Sequence, residues 1–187
     1  MSTSAIDPTT VRQDTQRWLE RAVIGLNLCP FARAVQARGL IHLAVAAAST
    51  EEDLLVELEA ELLALRDTDP AVRETTLLVV PNCLEDFLVF NDFLGLADIL
   101  LRQWRLPGQI QIASFHPQYQ FAGTDPHEVA NATNRSPYPT LHLLREDSIS
   151  RAVAAVPDVD AIVARNIRTL EGLGAAGWAA LQVGPSS

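Results

Sequence analysis

TTLLVVPNCLEDFLVFNDFLGLADILLRQWRLPGQIQIASF, residues Thr75–Phe115, decides the fold. It opens on a nearly continuous apolar run, Thr75–Val80, of the kind that reads as a strand buried on both faces. Asn82 with Glu85 then makes a helix-opening signal for a helix from Leu84 to about Trp104. Pro107-Gly108 ends it, and QIQIASF, Gln109–Phe115, is a second strand. Upstream the same order recurs: LIHLAVA at Leu40–Ala46 is a strand, followed by a leucine-rich helix over Glu51–Arg66, opened by Ser49 or Thr50 and by Glu51, Glu52 and Asp53. Thr140–Arg145 reads as a fourth strand.

Strands alternating with helices predict an α/β fold. The expectation is one domain with a four-stranded, mostly parallel or mixed sheet, helices on both faces and further helices at the carboxyl end. Before the first strand, Thr10–Leu28 has helical spacing, with Val11, Trp18, Ala22, Leu26 and Cys29 near one face. From Asp147 to about Val183 the pattern is helical, with breaks near Pro157 and at Gly172 and Gly174. Residues 1–9 and 184–187 are expected to be flexible ends of a single domain spanning 1–187. The direction of the fourth strand stays open, because residues 116–139 are long enough for a parallel crossover yet also allow an antiparallel return.

The composition is globular, 48% hydrophobic and 20% charged. No apolar run approaches the roughly 18 residues a membrane span needs, so no membrane is expected. Met1–Thr10 carries no secretory pattern; with Cys29 and Cys83 as the two cysteines, a cytoplasmic protein with free thiols is the expectation. All fourteen basic residues are arginine. Without lysine there is no Walker-type phosphate loop and no Schiff-base chemistry. A net charge of -9 without a basic cluster argues against nucleic acid as a partner.

Candidate chemistry concentrates between the last two strands. Residues 113–146 hold three histidines, two tyrosines, two arginines and four prolines, a mixture that belongs to a functional loop more than to scaffolding. Ligands in open α/β sheets bind beyond the carboxyl ends of the strands, which here are residues 46–50, 81–83 and 116–117. His116, held extended by Pro117, is a candidate acid or base. Arg135, between Asn134 and Ser136 in a proline-pinned loop, suits bidentate capture of a carboxylate or phosphate, and Tyr119, Tyr138 and Asn134 are candidate binding residues around it. Arg145 with Glu146 and Asp147 reads as an ion-pair cluster. His142 belongs to strand packing, His42 to a strand and satisfied by neighbours, and His127 to solvent.

Cys29 precedes Pro30, which suits the first position of a helix over 30–38 ending at Gly39. Cys29 would then cap that helix, with Arg33 one turn on, in surroundings that favour a thiolate. It also continues the apolar stripe of the first helix, and a free cysteine behaves as a small buried hydrophobe. No HxxxH or CxxC spacing is present, so no metal and no cofactor are expected.

Three motifs stand out: GLNLCPFA at Gly25–Ala32, SFHPQYQFAG at Ser114–Gly123 and NRSPYPTLHLLRE at Asn134–Glu146. With them the chain resembles, over most of its length, the bacterial family known as domain of unknown function 1415. The resemblance implies a single domain of bacterial origin and brings no activity, cofactor or catalytic residue with it. Three functional readings stay open. One is an enzyme binding a small anionic molecule, with Cys29 as thiolate and His116 as acid or base. Another is a non-catalytic ligand- or protein-binding domain, and the third a metal or haem protein using Cys29 and His116.

Overall fold

The computed structural model describes residues 6–154 and 160–186. Helix α1, Pro8–Trp18, is capped by Asp7, whose carboxylate accepts the Thr9 N–H, and continues into a π-helical segment, Leu19–Ile24. At Gly25 a Cβ would meet the Arg21 carbonyl oxygen at 2.2 Å, so only glycine fits. A short α2, Ala32–Ala37, leads to β1, Ile41–Val45. Helix α3, Glu51–Asp67, uses Thr50 as its cap, the hydroxyl accepting from the Asp53 amide, and β2 follows over Thr75–Val79.

Helix α4 spans Phe87–Gln103, three residues later than the sequence signal at Leu84. The Asp86 carboxylate takes the Leu88 and Val89 amides, and Leu84, at φ 61°, is held outside any helix. Strand β3 is Ile110–Phe115, a 3₁₀ segment covers Val129–Asn134, and β4 is Thr140–Arg145. Helices α5, Glu146–Ala154, and α6, Asp160–Ala180, complete the chain. The expected break at Gly174 is present (φ 68°), whereas the helix runs through Gly172; Pro157 lies outside the described residues.

The sheet order is β1-β2-β4-β3. β1 and β2 pair in parallel, while β4 runs antiparallel to both neighbours, with Thr140 opposite Val79 on one side and Phe115 on the other. The sheet is therefore mixed rather than mostly parallel. Strand β4 fills the slot between β2 and β3, so β1, β2 and β3 end at one edge, where β4 begins.

Alternation along the strands assigns side chains to two faces. Against one lie Leu54, Leu58, Leu62 and Leu65 of α3 and Phe90 and Phe93 of α4, packed on Leu78, Val80, Ile110, Leu141 and Leu143. Burying one such side chain contributes roughly 1.5–3 kcal/mol, so this layer dominates the core. On the other face Trp18, Leu19, Ala22 and Val23 pack with Leu77, Phe115 and the carboxyl-terminal Trp178, Leu181 and Val183. Leu170 of α6 meets Leu28 and Ala132. Pro8 opens α1 and the Ser186 amide bonds the Asp14 carboxylate.

Candidate functional site

His116 follows Phe115 at the end of β3, and strand alternation sends its ring to the α4 side, between Phe87 and Phe90 at centroid distances of 5.3 and 5.1 Å. It is fully buried. Nδ1 accepts the Gln118 amide at 3.0 Å, which leaves Nε2 to donate to the Leu84 carbonyl at 3.0 Å. One neutral tautomer is thereby selected. Burial lowers the imidazole pKa, outweighing the opposing pull of the Leu84 carbonyl, Asp86 and the Glu85 backbone. With both ring nitrogens occupied, His116 pins the turn after β3 to the loop before α4.

That pinning shapes an open cleft of about 560 Å³ lined by Asp86, Phe87, Leu88, Pro117, Gln118, Gln120, Pro126, His127 and Arg135. It lies at the sheet edge that the strand ends predict. The Asp125–Glu128 turn forms one side, closed by reciprocal bonds: the His127 amide to the Asp125 carboxylate and the Asp125 amide to Glu128, both 2.8 Å. Arg135 is half-buried, its Nε donating to the Tyr119 carbonyl at 3.2 Å and Nη2 to that of Pro126 at 2.6 Å. Among the described residues it forms no ion pair. Burial lowers its pKa, the mark of a cation without a counter-charge.

Cys29 stands elsewhere. It is half-buried beside Trp18, Leu77, Phe115 and Trp178, on the sheet face opposite His116. The expected helix does not begin at Pro30: α2 starts at Ala32, its cap is Phe31, and the Cys29 carbonyl accepts the Ala32 amide at 3.3 Å. Cys29 is thus not an N-cap, and Arg33 is drawn to the Ile24 carbonyl. Cys29 and His116 do not meet, because Phe115 and His116 are consecutive and point to opposite faces. His116 and Arg135 do share one region: the Asn134 carbonyl accepts the His116 amide at 3.1 Å.

A family model described as Protein of unknown function (DUF1415) matches residues 10–180. The chain belongs to this family. No curated protein and no solved structure matches it. The three motifs through which the sequence resembles the DUF1415 family fall on distinct parts of the fold: the turn carrying Cys29, the turn carrying His116, and the loop and strand from Asn134.

The remaining candidates divide. Tyr119 is half-buried between Phe87 and Phe121, with its carbonyl fixing Arg135, and Asn134 Nδ2 donates to the Ser114 carbonyl at 3.2 Å. Both support the cleft from behind. Tyr138 is buried on the α1 face and gives its hydroxyl to Asp14 at 2.8 Å, so it is no wall of the cleft. Burial pushes its phenol up, as does the Asp14 carboxylate. Asp14, fully buried, also receives the Ser186 amide and hydroxyl and Arg17. Burial raises the Asp14 pKa, but these bonds more than offset it and hold the carboxyl below its ordinary value.

This Asp14 centre was missed, although a carboxylate on the Val11–Trp18 stripe was a visible signal. Arg145 makes no ion pair with its acidic neighbours; it donates to the Leu65 and Thr68 carbonyls and closes the end of α3. His142 bonds Thr75 at 2.7 Å within the sheet, His127 is exposed, and His42 lies 3.9 Å from Glu61. Among the described residues no three His, Cys, Asp or Glu side chains are grouped to hold a metal ion, and no helix is long and apolar enough to cross a membrane.

Proposed function

We propose that this DUF1415 chain is a binding domain for a small anionic molecule, seated in the cleft at the start of α4 with Arg135 as the anion holder. The observation that carries this reading is the half-buried Arg135 guanidinium, fixed by the Tyr119 and Pro126 carbonyls and left without a carboxylate partner among the described residues. A planar donor fork oriented in advance favours carboxylate or phosphate, because little side-chain entropy is lost on binding. Gln118, Gln120 and His127 supply further polar groups, and Phe87, Leu88, Pro117 and Pro126 an apolar wall. Neither cysteine lines the cleft, and Cys29 packs on the sheet face opposite His116, so no thiolate stands beside the bound anion.

Thermal unfolding of the full chain against inorganic phosphate and a series of mono- and dicarboxylates is the test. A ligand at a hundred times its Kd adds about 2.7 kcal/mol, which for a chain of this size raises Tm by about 5–10 °C. Arg135→Gln should abolish that shift while leaving the circular dichroism of the free protein unchanged. A shift that survives Arg135→Gln, or no shift with any member of the series, rejects the proposal.

A further inference from the structure

The outward side of α4 carries an apolar stripe among its polar residues. Phe90, Phe93, Ala97, Leu100 and Leu101 account for its buried side. Opposite them Leu88 is 72% exposed and Ile99 55%, with Val89 and Leu96 also exposed. At 3.6 residues per turn Leu88, Leu96 and Ile99 follow one line along the helix, interrupted by Asp92. Gly95 adjoins that line with nothing within 4 Å of where its Cβ would stand, so a neighbouring helix meets no side chain there. Single exposed apolar residues are ordinary; a stripe over three turns marks an interaction surface.

The charges on the same helix indicate what covers it. Glu85 and Asp86 just before its amino end and Asp92 in its first half are acidic, and Arg102 near and Arg105 just past its carboxyl end are basic, with Asp98 between Asp92 and Arg102; all are exposed. Asp86 is spent on its cap, but Glu85, Asp92, Arg102 and Arg105 make no side-chain hydrogen bond or ion pair with another described residue. We propose that two copies of the chain pair through antiparallel α4 helices about a two-fold axis, each helix setting its acidic end against the basic end of the other. A two-fold interface is self-complementary, as this charge order requires, and antiparallel helices also oppose their dipoles. Leu88 and Asp86 border the Arg135 cleft, so the neighbour's basic end comes to lie beside its mouth. The pairing does not depend on the anion-binding reading.

Sedimentation equilibrium of the full chain from about 1 to about 100 µM tests it, a range that brackets micromolar dimers. The expected result is a dimer that weakens as salt is raised. Leu96→Glu with Ile99→Glu, both exposed positions, should leave circular dichroism intact and weaken pairing by at least about a hundredfold, since two charges would enter an apolar contact. Glu85→Arg alone and Arg102→Glu alone should each weaken the dimer, and the two together should recover part of the loss. This charge exchange decides the matter if the glutamate variants do not fold. A monomer at every concentration, or a dimer indifferent to both sets of variants, overturns the proposal.

Discussion

Replacing His116 by alanine separates a structural imidazole from a catalytic one. The ring makes two hydrogen bonds of 3.0 Å and packs between Phe87 and Phe90, with no exposure to solvent. Alanine strands the Leu84 carbonyl, itself on a buried residue, whereas the Gln118 amide belongs to an exposed residue and recovers water. Each lost bond costs about 1 kcal/mol, and the void left by the ring adds about 2 kcal/mol, so His116→Ala should destabilise the protein by about 3–5 kcal/mol. For a chain of this size that is a fall in Tm of about 10 °C.

Two partial replacements sharpen the reading. In His116→Asn the amide oxygen stands where Nδ1 accepts from Gln118, and in His116→Gln the amide nitrogen stands where Nε2 donates to Leu84. Each should recover about 1 kcal/mol relative to alanine. Urea unfolding followed by tryptophan fluorescence measures all three, with an unchanged denaturant slope confirming that only stability has moved. A loss below about 1 kcal/mol for His116→Ala would refute the account of His116 as a buried pin.

Acid stability and thiol reactivity supply two further tests. Burial pushes His142 down to about 4 and lowers His116, so the folded state favours neutral imidazole while the unfolded chain takes up protons near 6.5. Stability is therefore whole above pH 6.5 and declines between there and about pH 4. Asp14, held low, keeps its contribution until pH falls below the ordinary carboxylate range. Urea midpoints should trace the first decline, His142→Gln should flatten it, and a midpoint constant from pH 7 to 4.5 contradicts it. Burial pushes the Cys83 thiol to about 11, aided by Glu51 and Glu57, so at pH 8 it should alkylate at least about a hundredfold more slowly than free cysteine. A rate that levels off near pH 9 counts against this.

Local chemistry made much of the fold legible. The apolar runs at Leu40–Ala46, Thr75–Val80 and Gln109–Phe115 are strands because β-branched and aliphatic side chains fill both faces of a covered sheet. The Thr50 cap and the leucine spacing of α3 are set within a few residues of one another. Arg135 could also be picked out, since prolines and small polar neighbours hold such a loop in shape whatever it packs against.

Other features depend on parity and on distant partners. The direction of β4 follows from which slot the 116–139 loop reaches, and local propensity is the same for either direction. Cys29 and His116 are separated because His116 takes the opposite parity to Phe115 and so faces α4, while Cys29 packs with Phe115 on the other side. Tyr138 meets Asp14, 124 positions away, and Arg145 closes the end of α3 at Leu65, 80 away. A side chain's type states what bond it needs; only the packed sheet and its helices decide which partner stands within 3 Å.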